Sequence, residues 1–233
     1  MINTLVDRLV LVLNIENGLI AHNIGKNRAL RLIFWWSAVE NVKGDYVEFG
    51  VATGNSMRGA ELAEKRAFSK KLAIPRIDRK IFGFDTFESF SSNAGIDSHE
   101  NWHGSFFSDE FTKVKKRFRR SKNVKLFQAD VLDFQTALSQ NKGKKFPTEI
   151  NRVAIAMFDM DLYQPTRVAL ECIYPLIDIG TVLIFDEYYG FKASVKHGEY
   201  LALTEFLACH DNLRVREFIS YGMGGTSFIV YEK

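Results

Sequence analysis

Cysteine is scarce in this chain. Its two cysteines, Cys172 and Cys209, stand far apart and without metal-ligand spacing, which argues against a disulfide and points to reduced thiols in a cytoplasmic protein. An excess of one charge is lacking too. Lys plus Arg number 31 against 28 Asp plus Glu, a formal net charge of +3, so the overall balance demands neither nucleic acid nor a membrane as partner. Long apolar runs are absent as well: the N-terminal MINTLVDRLVLVLNIENGLI is broken by Asp7, Arg8 and Glu16 and shows no signal-peptide cleavage pattern. It reads as a helix that packs on the protein or binds a partner. There is no internal repeat and no G-x-G-x-x-G, and the latter counts against a nicotinamide dehydrogenase.

What is present is an alternation. A chain of 233 residues suits one large α/β domain with a helical elaboration. The division expected is an N-terminal helical extension over 1–41 and a main body over 42–233, with Trp35 and Trp36 fixing the helical part to a sheet. Strand-like runs recur at Tyr46 to Val51, Ile81 to Asp85, Val124 to Asp130, Val153 to Met160 and Thr181 to Glu187, with helical patterns between most of them. That predicts a doubly wound, mostly parallel sheet with helices on both faces. After the helical EYLALTEFLACHDN come LRVREFIS and TSFIVYEK joined by YGMGG, a C-terminal antiparallel hairpin that completes seven strands.

The chemistry gathers at the strand ends. Asp159, Asp186 and Glu187 each follow an apolar run, and in an open α/β sheet ligands sit at the carboxyl ends of strands. Three carboxylates converging there repel one another unless a cation lies between them, and Mg²⁺ or another divalent ion is the simplest candidate. Asp161 is the alternative ligand to Asp159, the other of the two orienting Tyr163 or capping the helix that begins near Pro165. The bland account of all four acids is capping and surface solvation. Upstream, VEFGVATGNS offers Glu48, Gly50, Gly54 and Ser56 at a strand-to-helix turn where a cofactor's backbone approach needs glycine. The same glycines also serve backbone geometry alone, and Asn55 and Ser56 serve as helix caps.

Asp85 closes the second run, where a carboxylate accepts ribose hydroxyls or starts a turn. Asp130 follows the third, facing a cofactor's adenine or capping VLDFQTAL. His103, in the aromatic-rich segment with Trp102, Phe106 and Phe107, is a candidate base or an ordinary loop residue. Lys113 to Lys122, KVKKRFRRSK, invites a polyanion reading, but the spacing of Phe111, Val114 and Phe118 makes it the solvated face of a helix.

Crossover strands ending in a hairpin resemble the class I S-adenosylmethionine-dependent methyltransferases, a Rossmann-like fold whose last strand inserts antiparallel. More specifically, VEFGVATGNS, FGFDTFESF, FDMDLYQPT followed by YPLI, and GTVLIFDEYYG are similar to the TylF/MycF macrocin O-methyltransferase family, over about Tyr46 to Gly190. The resemblance implies methyl transfer from S-adenosylmethionine to a hydroxyl of a sugar or glycosylated small metabolite, aided by Mg²⁺ or another divalent cation. It implies metal ligands at Asp159, Asp186 and Glu187, with Asp159 also the base, and cofactor contacts at Glu48, Gly50, Gly54, Ser56, Asp85 and Asp130. Glu187 stands where the family usually carries aspartate. A catechol-like acceptor and a non-catalytic binding module are the alternatives, and the N-terminal helices suit either a cap over the site or a homo-oligomer.

Overall fold

The computed structural model describes residues 18–69, 73–88, 111–135 and 146–233. Its centre is a seven-stranded sheet in the order β3-β2-β1-β4-β5-β7-β6. The first five strands are β1 (Asp45–Phe49), β2 (Ile81–Asp85), β3 (Val124–Gln128), β4 (Val153–Phe158) and β5 (Val182–Phe185), and they pair in parallel. The hairpin β6 (Arg214–Tyr221) and β7 (Gly225–Glu232) closes the sheet, with β7 running antiparallel between β5 and β6. VAIAMF and VLIF are buried along their whole length because helices cover both faces, which is why they show continuous apolar runs without alternation.

On one face lie α1 (Gly18–Val39), α2 (Asn55–Arg66) and α3 (Phe111–Arg117), packed through Leu30, Ile33, Phe34, Met57 and Val114 onto Tyr46, Ile155, Met157 and Ile184. On the other, α4 (Tyr163–Ile173) and α5 (Gly198–Cys209) bring Ala169, Ile173, Leu203 and Phe206 against Val47, Phe84 and Phe158. Trp36 packs on Phe218 of β6 at 5.1 Å, holding α1 to the hairpin as expected. The basic run also lies as expected, with Val114 and Phe118 buried while Lys113, Lys115, Lys116, Arg119 and Arg120 face solvent. Among the described residues no helix is long and apolar enough to cross a membrane.

β2 spans Ile81–Asp85 as read, whereas β1, β3, β4 and β5 stop earlier than the runs read for them. β1 ends at Phe49 because Gly50 turns to φ +88°, and β4 and β5 end at Phe158 and Phe185. In register, Phe residues last or next to last in their strands form a row across the sheet: Phe127 lies on Phe84 at 4.9 Å, Phe84 on Phe49 at 5.3 Å, Phe49 on Phe158 at 5.7 Å and Phe158 on Phe185 at 4.8 Å. All point toward α4 and α5. Because side chains alternate along a strand, the residue after each Phe faces the side of α1 and α2 at a common height. Those next residues include Gly50, Asp85, Asp159 and Asp186. Their main chains remain tied to the sheet: Asp159 N–H donates to the Phe49 carbonyl at 2.8 Å, and Asp186 N–H to the Phe158 carbonyl at 3.1 Å.

Candidate active site

Alternation brings Asp159 and Asp186 to the same face, and the group they meet there is an ammonium. Lys26 of α1 lies between them, its Nζ 2.9 Å from Asp159 Oδ2 and also bonded to Asp186 Oδ2. His22, one helical turn earlier, reaches Asp186 Oδ2 through Nε2 at 3.0 Å. The Met223 N–H donates to His22 Nδ1 at 3.2 Å, so Nε2 is the nitrogen that donates to Asp186. The Tyr221 hydroxyl completes the shell by donating to Asp186 Oδ1 at 2.7 Å. Both oxygens of Asp186 are therefore engaged. Gly222, at φ +57°, passes so close that a Cβ there would stand 2.3 Å from His22 Nδ1, so this turn of the hairpin admits only glycine.

The electrostatics follow from that arrangement. Burial pulls Lys26 down, but Asp159 and Asp186 outweigh it and hold the ammonium charged well above the ordinary lysine value. Burial acts on Asp186 too, and Lys26 and His22 overcome it, keeping this carboxyl below the usual range. Asp159 is pushed well up, first by burial and then by the neighbouring Asp186, with Lys26 opposing. The side chain of Asp159 is 20% exposed against 2% for Asp186, so Asp159 is the member of the pair that a ligand can reach.

Behind this pair stand further acids. Glu187 lies near Asp159 and Asp161, and its main-chain N–H donates to Glu199 Oε2 of α5 at 2.9 Å. Burial first and Asp161 next raise both Glu187 and Glu199 well above the ordinary glutamate value. Among the described residues, neither Glu187 Oε2 nor Glu199 Oε1 has a hydrogen-bond partner. Asp161 adopts φ +64°. The Tyr163 hydroxyl donates to Glu205 Oε2 of α5 at 2.5 Å.

The metal set read from the sequence, Asp159 with Asp186 and Glu187, has the Lys26 ammonium between its two aspartates and is divided between two groupings that could hold an ion. Among the described residues, the groupings that bring three ligand atoms within 4.8 Å of one another are His22–Asp186–Glu187 and Asp159–Asp161–Glu187. A divalent ion between Asp159 and Asp186 would have to expel the Lys26 ammonium, since two cations cannot share that space. The residues as arranged do not fit a metal at that position.

The cofactor side is better matched. Residues 50–54 form a turn with positive φ at Gly50, Ala52 and Gly54, beside the switch point between β1 and β4. α2 starts there with no side-chain cap and no acidic residue in its first turn, leaving its first N–H donors to an anionic group such as an amino-acid carboxylate. Asp85, half-buried at the end of β2, accepts the Ala52 N–H at 2.7 Å and the Phe87 N–H at 2.6 Å. A carboxylate offers about four lone-pair sites, so capacity remains for ribose hydroxyls. These residues fit a nucleoside linked to an amino acid.

The other candidates divide. Gly50 is required by packing, since a Cβ there would stand 1.9 Å from the Asp159 carbonyl oxygen, and a Cβ on Gly54 would meet Phe118 at 3.0 Å. Asp130 is exposed and accepts the Leu132 N–H at 2.9 Å, which is the capping geometry. His103, Trp102, Phe106 and Phe107 lie outside the described residues. Ser56 caps nothing and donates to Glu48 Oε1 at 2.6 Å, while the Tyr46 hydroxyl donates to Glu48 Oε2 at 2.5 Å. Glu48 is fully buried beneath the turn, and burial pushes its carboxyl up to about 7 against those two hydrogen bonds.

The native state thus keeps a proton on Glu48 that the unfolded chain releases above its ordinary glutamate value of 4.5. Its contribution favours folding at acid pH and fades as the pH rises toward 7. A Glu48→Gln variant is expected to lose that part of the pH dependence, so urea midpoints at pH 5 and pH 7.5 should lie closer together than in the wild type.

A model of the macrocin O-methyltransferase (TylF) family matches residues 20–207. The chain belongs to that family. No curated protein matches it. Among solved structures it is similar to the O-methyltransferase NovP at 21% identity, with a TM-score of 0.66 over 88% of this chain and 79% of that one. It is also similar to CalS11, a TDP-rhamnose 3'-O-methyltransferase of calicheamicin biosynthesis, at 21% identity and TM-score 0.55 over 87% and 77% of the two chains. A third is an O-methyltransferase from Bacillus cereus in complex with SAH, at 12% identity and TM-score 0.50 over 88% and 80%. These likenesses show the class I methyltransferase fold, and the family match makes this chain an S-adenosylmethionine-dependent O-methyltransferase.

Four members of this macrocin-family site, His22, Lys26, Tyr221 and Glu199, are not among the site residues read from the sequence; Tyr221 and Glu199 lie in segments read there only as a hairpin connection and a helix. A signal did exist for the first two. His22, Lys26, Ala29, Leu30, Ile33 and Ser37 lie on one buried stripe of α1, and basic residues recurring on an apolar stripe indicate a buried acid opposite.

Proposed function

We propose that this enzyme methylates a hydroxyl of a sugar or glycosylated small metabolite, with Asp159 as the base. The observation that carries the reading is Asp159 itself: a carboxylate at the carboxyl end of β4, partly exposed, tethered by Lys26 and next to the uncapped turn of α2. Bound S-adenosylmethionine would supply an electrophilic methyl group on a sulfonium. Asp85 and the first turn of α2 would hold its ribose and amino-acid ends, and what remains for the protein is to align the acceptor oxygen and take its proton.

A general base works best with a pKa near the operating pH, and burial with Asp186 beside it lifts Asp159 in that direction. As the oxygen–methyl bond forms and the sulfur–methyl bond breaks, the hydroxyl proton passes to the free oxygen of Asp159. No step here runs through a metal ion. The sugar acceptor is supported by family membership and by the activity named for CalS11.

The test has two parts. Calorimetry should find one S-adenosylmethionine site per chain, weakened about tenfold or more in Asp85→Ala, equivalent to roughly 1.4 kcal/mol. Incubation with methyl-labelled cofactor and a panel of nucleotide sugars, glycosides and catechols should then label a sugar hydroxyl. Absence of cofactor binding would end the proposal, and label on catechols alone would transfer it to phenolic acceptors.

A further inference from the structure

We infer that Lys26 is the resident cation of this active site, holding between Asp159 and Asp186 the position a divalent metal would need, so that methyl transfer here proceeds without one. This inference rests on the methyl-transfer reading above. It stands on what occupies the position. The ammonium is bonded to both carboxylates, its side chain is 8% exposed, and it is held on α1, a 22-residue helix packed against α2 and the sheet.

The neighbouring groups reinforce the arrangement. Asp186 also accepts from His22 and Tyr221, so with Lys26 three donors already surround the carboxylate a metal would need most. Two of the three ammonium donors go to the two acids. The carboxylate repulsion that a metal would relieve is relieved from within the chain. The third acid of the set, Glu187, keeps a carboxylate oxygen unpartnered among the described residues, but each grouping it joins, with Asp159 and Asp161 or with His22 and Asp186, includes an aspartate already bonded to the Lys26 ammonium, so an ion there would compete with that charge.

The consequence is chemical. A metal fixes an acceptor by chelating two of its oxygens, whereas a lysine between two acids fixes the base. Lys26 is therefore a positioning residue for Asp159, and selection of the acceptor does not depend on vicinal hydroxyls bound to an ion.

Titration of the chelator-treated full-length protein with Mn²⁺, followed by electron paramagnetic resonance, tests this without knowledge of the acceptor. The wild type should show no saturable site at the acid pair. Lys26→Ala should expose one, binding Mn²⁺ at least about tenfold more tightly than the wild type, with Mg²⁺ competing for it. Lys26→Arg, which restores a cation, should bind no better than the wild type. A single Mn²⁺ site in the wild type that vanishes in Asp159→Asn would overturn the inference, as would a folded Lys26→Ala protein that gains no site. If Lys26→Ala fails to fold, Lys26→Met, of nearly the same volume, takes its place, and the wild-type titration still decides. S-adenosylmethionine binding is measured on the same samples, so failure of the methyl-transfer reading registers separately from failure of the lysine assignment.

Discussion

Gly50→Ala is expected to destabilise the protein by roughly 3 kcal/mol and to displace Asp159. The residue sits at φ +88°, where any side chain strains the backbone by about 1–3 kcal/mol. Its new Cβ would also stand 1.9 Å from the Asp159 carbonyl oxygen and 2.6 Å from the carbonyl carbon. Those are main-chain atoms, pinned by the bond from Asp159 N–H to the Phe49 carbonyl, so they cannot swing aside as a flexible side chain would. Overpacking of that kind adds about 1–3 kcal/mol. For a chain of this size the loss corresponds to a fall of roughly 6–12 °C in Tm. Thermal unfolding measures it directly. A fall of less than about 2 °C would show that the ends of β1 and β4 part easily, and the common height of the strand-end residues would lose its meaning.

Asp186→Asn is expected to have the second large effect, about 3 kcal/mol of lost stability at neutral pH. Asparagine keeps the volume and one acceptor oxygen, so what disappears is the charge that Lys26, His22 and Tyr221 address. Asp159 remains to pair with Lys26, which places the loss at the lower end of the range for breaking a buried ion pair. Denaturant midpoints for wild type and variant provide the measurement. A change within about 0.5 kcal/mol would mean that water already screens the cluster, contrary to its 2% exposure.

Much of the framework is legible in the order of amino acids alone. The apolar runs announce each parallel strand, because a strand covered on both faces carries little besides β-branched, aromatic and aliphatic residues. YGMGG between two alternating segments announces the hairpin, and Asp159 and Asp186 stand out because acids after buried runs belong at a sheet's carboxyl edge. Their partners are hidden for a physical reason: Lys26 lies 133 residues from Asp159 and His22 lies 164 from Asp186, so no local spacing records either contact. The exact ends of the strands are hidden for another. VAIAMFDM and TVLIFDE stay apolar up to the last Phe, and only the turn geometry beyond it tells where pairing stops.

One helix carries a disproportionate burden. α1 delivers both His22 and Lys26 to carboxylates borne by the distant half of the chain, and its seat includes the tip of the final hairpin through Met223 and Tyr221. Detachment of that single segment would leave two neighbouring anions unneutralised and the base untethered, even with every strand still paired. Inactivation and departure of α1 are then the same event, and thermal loss of turnover can run ahead of the melting of the sheet.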